Sequence, residues 1–267
     1  MGKGKPFLEV FASALHEDYR FPILEIFAFL YALGTFVFAS FGSPVFALVL
    51  SSEAVAYNLT ASLLGLPLFI FIILIFKNIA YGLGSDLEKG TIQTYFSYPL
   101  KRHGILTAKL LSALGVALIL FLTIQISALY ILAPDIVLPY LSTVLLTYAA
   151  NLSYPLLVAG IILLATLILG RGDLALVIGI VLYFAMEIIS GLALFVTNAT
   201  RSLLALQVIS MISPNVALAR YYSKYVAFPE LWTPTFSEAL LYIGASYVIV
   251  AFLFLLGYLY FSRKLGL

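Results

Sequence analysis

Within the apolar part of this sequence, Glu187 is the side chain best placed to do chemistry. It lies inside an apolar stretch over 174–199, where an ionised carboxylate is costly and is by default a functional hypothesis. The carboxylate could line a substrate path, bind a cation, or form a hydrogen bond that only holds helices together. The sequence leaves these three roles open.

The remaining candidate residues do not form a catalytic constellation. Residues 170–173 read Gly-Arg-Gly-Asp, a pattern found in intramembrane aspartyl proteases, but those enzymes need a second aspartate inside another span, and none occurs here. We interpret Asp173 as the N-cap of the following helix. His16 and His103 are far apart in sequence, so neither a zinc site nor an acid–base pair is indicated. We expect no catalytic site, no metal site and no cofactor in this chain.

The composition excludes a water-soluble domain. Of the 267 residues, 63% are hydrophobic and 10% are charged, and the mean hydropathy is +1.12. A soluble domain carries roughly 25% charged residues. The net charge of +2 gives no nucleic-acid signature, and the absence of cysteine excludes disulfides and thiolate metal sites.

Six stretches reach the length of about 20 apolar residues that a helix needs to cross a bilayer. We therefore predict an all-α membrane protein in which residues 1–267 form a single transmembrane domain. Pro155 is expected to kink the long fourth stretch, unless that helix is strongly tilted. The predicted spans are about 22–41, 59–81, 105–132, 139–169, 174–199 and 237–262.

The distribution of Lys and Arg predicts the orientation, since basic residues accumulate on the cytoplasmic side. With the N-terminus inside, that side holds eleven of the 14 basic residues and the other side holds three. We predict a multi-pass protein of the cell membrane with both termini in the cytoplasm. The eleven are Lys3, Lys5, Arg20, Lys77, Lys89, Lys101, Arg102, Lys109, Arg171, Arg263 and Lys264; the three are Arg201, Arg220 and Lys224.

Other polar and amphipathic residues predict two short helices, hydrogen bonds between helices and an aromatic belt. Phe7, Phe11, Ala14 and Leu15 share one helical face, which indicates an interfacial helix on the inner leaflet. Leu203 to Ile212 suggest a short external helix that Pro214 ends. Two polar residues inside spans, Gln125 and Asn151, are expected to hydrogen-bond between helices. Aromatic residues after that short helix favour an interfacial belt over a binding site; they are Tyr221, Tyr222, Tyr225, Phe228 and Trp232.

The segment over about 85–99, between the second and third spans, is the most informative one. Ser85 and Glu88 have capping-box spacing, and Pro99 disfavours continuation of a helix. The apolar residues between these signals recur at helical spacing; they are Ile92, Tyr95, Phe96 and Leu100. We predict a short amphipathic helix on the cytoplasmic surface, held between two spans. The alternative is a plain surface linker.

This segment resembles the cytoplasmic signature of ABC-2 type transporter permeases. The similar positions are Glu88, Gly90-Thr91, Tyr98-Pro99-Leu100, Arg102 and Lys109, and the six-span layout is also similar. The resemblance implies a coupling helix that docks into a separate ATP-binding cassette subunit. It also implies two permease chains around one path, export as the direction, and ATP with Mg in the partner subunit. No Gly-x-x-x-x-Gly-Lys-Ser/Thr run occurs in this chain itself.

By the resemblance, the docking role falls on Glu88, Gly90, Thr91 and Pro99. Ile92 and Tyr95 are added from helical spacing alone, as an apolar face for a partner to grip. The alternative function is an ion- or proton-coupled secondary transporter that uses Glu187. Such transporters usually show internal repeats, and no convincing repeat is evident here. A membrane enzyme ranks third, because a catalytic constellation is missing.

Overall fold

The structure is a computed structural model that describes residues 5–41, 52–97, 99–222 and 231–264. Over these ranges the chain contains helices and no strand. Five of the described helices are long and apolar enough to cross a membrane, and the number rises to seven if each of two sharply bent helix pairs is one span. The prediction of an all-α chain with several helices long and apolar enough to span a membrane is confirmed for these ranges. Predictions on Lys3, Tyr98, Lys224, Tyr225 and Phe228 lie outside the described residues.

We number the helices in chain order. The first half contains α1 (Lys5–Asp18), α2 (Ile23–Phe41), α3 (Ser52–Glu88), α4 (Thr91–Tyr95), α5 (Arg102–Leu132) and α6 (Pro134–Val137). The second half contains α7 (Leu141–Leu169), α8 (Gly172–Thr200), α9 (Leu203–Ile212), α10 (Asn215–Tyr222) and α11 (Phe236–Lys264). The α3 and α5 helices include π-helical stretches, at Phe76–Leu83 and Leu111–Val116.

Five of the six predicted spans agree with the structure to within about three residues at each described end. The exception is the second span, predicted over 59–81, because α3 runs from Ser52 to Glu88. The helix continues through Gly84, where an added Cβ would lie only 2.6 Å from the Cα of Gly172. The glycine permits α3 to cross the start of α8 at close range and does not end the helix.

The α7 helix lies at the centre of the bundle and packs against α3, α8 and α11. It is continuous through Pro155 and has 29 residues, roughly 43 Å at 1.5 Å per residue. This length exceeds the hydrocarbon thickness of about 30 Å, so the helix must tilt or extend beyond it. Buried rings of α2, α3 and α5 fill the adjacent core, among them Tyr31, Phe71 and Phe121.

Hydrogen bonds between helices follow the prediction for the polar residues in spans. The Gln125 amide donates to the hydroxyl of Thr35 in α2. The Asn151 amide donates to Asn215 Oδ1 at 3.3 Å, and the Tyr57 hydroxyl donates to the same oxygen at 2.8 Å. Both Gln125 and Asn151 therefore link separate helices, as expected.

The two ends of the bundle are chemically different. At one end, called here the α1 end, α1 packs on α5, and Arg102 donates to the backbone oxygen of Ser262 at 3.2 Å. At the other end lie α6, α9 and α10, with a bend of 115° between α9 and α10. The predicted helix over 203–212 is confirmed. Arg102, Lys109 and Arg171 have their described contacts at the α1 end, whereas Arg220 of α10 donates to the backbone oxygen of Trp232 at the other end.

Candidate functional site

The segment between α3 and α5 differs from the single helix predicted over 85–99. Ser85 lies inside α3, so it does not begin a new helix with a capping box. The chain turns at Lys89 and Gly90, and the φ of Gly90 is 72°, a left-handed value that favours glycine. The α4 helix then contains five residues, Thr91–Tyr95. The predicted single helix over 85–99 is therefore replaced by the end of α3 and the separate short helix α4.

The apolar face of α4 is buried against the chain itself. Ile92 is 3% exposed and belongs to the main core, while Tyr95 is 7% exposed and packs with Val10 of α1 and Ile105 of α5. The Tyr95 hydroxyl also lies 3.2 Å from Ser13 Oγ. In this structure Ile92 and Tyr95 are buried within the chain itself, and their role as a face for a partner stays a prediction.

The four other predicted docking residues lie at the surface. Glu88 and Pro99 are exposed, and Gly90 and Thr91 are half-buried. Gln93 and Thr94, which the sequence analysis did not single out, are also exposed on the outer side of α4. The docking role of the surface residues stays a prediction.

Glu88 has a contact within the chain that the sequence did not predict. Its Oε2 accepts a hydrogen bond from the backbone N–H of Gly172 at 3.3 Å, and Arg171 lies 4.0 Å from its Oε1. Gly172 is the first residue of α8, so a carboxylate of α3 lies at the N-terminus of α8, where negative charge is favourable. Asp173 was predicted to be the N-cap of this helix, but in the structure it is the second helical residue.

Lys109 forms an ion-pair centre that joins three elements. Its Nζ lies 2.7 Å from both Glu17 Oε2 of α1 and Asp86 Oδ2 of α3. Lys109 itself is 6% exposed. A buried lysine of this kind is stable only when it is paired, so the arrangement fixes α1 against α3 and α5. The sequence placed Lys109 among the cytoplasmic basic residues, and no local signal marks its two acidic partners.

A second polar network surrounds Asp18, at the junction of α1 and α2. The Ser112 hydroxyl donates to Asp18 Oδ2 at 2.5 Å, and Lys77 Nζ donates to the backbone oxygen of Asp18. Burial raises the pKa of the Asp18 carboxyl to about 6. Lys77 and Ser112 belong to the two π-helical stretches, an irregularity frequent at functional sites.

Glu187 lies on α8 beside a cavity of about 220 Å³. The cavity wall includes Tyr154, Asn151 and Tyr183, and the two tyrosine hydroxyls face the carboxylate of Glu187. Glu187 is exposed and, within the described chain, forms no ion pair. Its surroundings on α8 are apolar and exposed, with Ile188 at 62% and Phe184 at 52%.

The α8 helix is the least covered of the long helices. Of its most apolar 18 residues, 17% are buried, compared with 61% for α7. Over the described ranges, no group of three or more His, Asp or Glu side chains is placed to hold a metal ion. Glu187 is therefore a single carboxylate on an otherwise apolar, open face.

Comparison with known proteins gives no family. The sequence matches no protein-family model, and a search of curated proteins finds no match.

Proposed function

We propose that this chain is the permease subunit of an ATP-driven exporter of the ABC-2 type, located in the cell membrane with both termini in the cytoplasm. In this proposal a separate ATP-binding cassette subunit binds ATP and Mg and docks at the α1 end, while this chain performs no catalysis. The observation that supports it most directly is that α4 is buried on one face and exposed on the other. One face packs on α1 and α5, and the other face, with Thr94 and Gln93, is open.

The contacts of α4 and its flanks suggest how a docked subunit acts on the spans. Displacement of α4 presses Ile92 and Tyr95 against α1 and α5. The same displacement acts on Glu88, which contacts the first residue of α8. Since α8 carries Glu187, motion at the docking surface reaches the proposed path through one helix. Ile92 and Tyr95 thus become force-transmitting residues rather than the surface that the partner grips.

The open face of α8 supports a dimer in which two permease chains enclose the path. A carboxylate is unfavourable against lipid, so Glu187 is best accommodated where a second chain or water faces it. The exposed residues around it would then be covered in part by the second copy. A homodimer satisfies both requirements with one chain type.

A substitution at Thr94 tests the docking proposal. Thr94→Trp adds bulk on the exposed side of α4 without touching Ile92 or Tyr95, so the chain should fold normally. We expect loss of association with the ATP-binding subunit in pull-downs and at least a tenfold loss of transport in vesicles. Ala12→Trp is the matched control, because it adds the same side chain at an exposed position of α1. Gly90→Trp is a poorer test, since the backbone at Gly90 is left-handed.

Normal association and normal transport in Thr94→Trp, with Ala12→Trp also unaffected, would show that α4 is only a linker. The ATP-driven proposal would then lose its main support.

A second candidate, an ion- or proton-coupled secondary transporter, is favoured by one observation. The cavity beside Glu187 holds polar groups halfway along α8, including the Tyr154 and Tyr183 hydroxyls that face its carboxylate. Transport by the purified chain alone, driven by an ion gradient without any ATP-binding subunit, would favour this candidate over the first.

A further inference from the structure

We propose that an anionic phospholipid binds to this chain at the α1 end, with its headgroup in a polar cavity and one acyl chain in an adjoining apolar groove. The inference requires only that the chain spans a membrane and is independent of the transport mechanism. It rests on two sites that share Lys77 and Tyr81.

The first site is a cavity of about 500 Å³ between the α1–α2 corner and the ends of α3 and α5. Four Lys or Arg side chains and three carboxylates line it, so the positive charges exceed the negative ones by one. Two of the three carboxylates, Glu17 and Asp86, are paired with Lys109. The open part therefore presents Arg20, Lys77 and Lys89 against a single carboxylate, that of Asp18.

These three basic residues retain capacity to bind an anion. Across the described ranges, Arg20, Lys77 and Lys89 form no ion pair, and Arg20 and Lys89 are exposed. Lys77 donates to the backbone oxygen of Asp18 and to Asn78 Oδ1 at 3.0 Å. An ammonium group has three donors, so Lys77 can donate one more hydrogen bond into the cavity. A phosphate oxygen suits that donor and the neighbouring guanidinium.

The second site is a groove of about 340 Å³ between α3 and α8, and its exposed wall surface is entirely apolar. Ile73, Phe76, Ile180 and Phe184 form much of the wall, and Phe184 is 52% exposed. The groove thus opens on the outer surface of the bundle, where lipid chains lie. A hydrocarbon chain is the occupant that matches this surface without leaving a polar group unpaired.

The two sites meet at Lys77 and Tyr81, which line both of them. A cationic cavity that continues into an apolar groove is complementary to an amphiphile with an anionic head. A free inorganic anion would leave the groove unfilled, and a zwitterionic head would add a positive charge beside Arg20 and Lys89. An anionic phospholipid satisfies both surfaces in one molecule.

Native mass spectrometry of the delipidated, detergent-solubilised full chain can test the proposal. Phosphatidylglycerol and phosphatidylcholine with identical acyl chains serve as probes, and we expect preferential retention of phosphatidylglycerol. Arg20→Gln with Lys89→Gln removes two exposed cations of the cavity and should weaken phosphatidylglycerol binding by about fivefold for each residue. Lys101→Gln with Arg263→Gln is the matched control, since both residues are exposed at the same end but outside the cavity.

The groove is tested separately with a pair of adjacent residues. Ile180→Trp fills the groove and should abolish retention, whereas Val181→Trp adds the same bulk on α8 at a position outside it. Four results would overturn the proposal. The first two are equal binding of the two lipids and unchanged phosphatidylglycerol binding in Ile180→Trp. The third is binding of inorganic phosphate as tight as that of phosphatidylglycerol. The fourth is an Ile180→Trp variant that loses a dimer of the chain but keeps the lipid.

Discussion

The acidic residues at the α1 end and the single carboxylate of Glu187 on α8 have very different surroundings. At the α1 end, Glu17 and Asp86 share the ammonium of Lys109 at 2.7 Å each, and Asp18 accepts from Ser112 at 2.5 Å. On α8, Glu187 has no ion pair among the described residues and lies on an exposed apolar face. The acidic residues at the α1 end have cationic or hydroxyl partners in the fold, whereas Glu187 faces two tyrosine hydroxyls and no cation among the described residues.

The difference distinguishes acidic residues that are paired within the fold from one that has no cation partner among the described residues. A buried lysine with two carboxylates stabilises the packing of α1 on α3 and α5, because breaking it leaves unpaired charge. A carboxylate without such partners contributes little to the stability of the single chain. Under the proposed function, Glu187 faces the translocation path or a second copy of the chain.

The largest expected effect in this comparison is on Lys109. Lys109→Met leaves Asp86 and Glu17 without their cation and should lower the free energy of unfolding by about 3 kcal/mol, measured by denaturant titration in detergent. The double variant Lys109→Met with Asp86→Leu should recover part of that loss, since the buried unpaired carboxylate is gone. Lys101→Met, at an exposed lysine of the same end, is the control. A Lys109→Met variant as stable as the control would contradict the assignment of a stabilising centre.

An effect no larger than that of Lys109 is expected from Asp18, and it depends on pH. Burial raises the pKa of its carboxyl from 3.8 to about 6, so between these values the folded chain binds more protons than the unfolded chain. Stability contributed by this group is therefore highest below about pH 4 and falls as the pH rises towards 6, by up to about 3 kcal/mol.

The comparison of wild type with Asp18→Asn isolates this contribution, because Lys77, Lys109 and Glu17 face the group in both proteins. The stability difference between the two proteins should change in favour of Asp18→Asn as the pH increases from 4 to 7. A difference that stays constant over this range would show that Asp18 titrates normally in the folded state.

The spans were predictable because a bilayer demands long apolar stretches, a signal contained in the local sequence. The end of α3 was not, because the predicted span followed the apolar stretch, which ends near Tyr81. The longer helix passes close to Gly172, 88 positions further along the chain, whose Cα would lie 2.6 Å from a Cβ at Gly84. Glycine at position 84 permits the longer helix to cross the start of α8 at this distance.

The candidate sites show the same limit. Glu187 was recognisable from its position in an apolar stretch, and its tyrosine neighbours were not. Ile92 and Tyr95 lie on one face, as their spacing predicted, but spacing cannot say whether that face meets a partner or the chain itself. The answer depends on α1, which lies about 80 residues earlier and supplies Ser13 and Val10.

The smallest expected effect on stability, and the sharpest contrast with Lys109, is at Glu187. Glu187→Gln and Glu187→Leu should each change the free energy of unfolding of the single chain by less than about 0.5 kcal/mol, because no ion pair is lost and the site is open. Transport should nevertheless fall in Glu187→Leu, which removes both the charge and the hydrogen-bonding capacity beside Tyr154 and Tyr183. If Glu187→Gln retains transport, Glu187 acts through hydrogen bonding. If Glu187→Gln loses transport, Glu187 acts through its charge. A destabilisation in both variants as large as that of Lys109→Met would instead make Glu187 a structural residue, and wild-type transport in Glu187→Leu would remove it from the path.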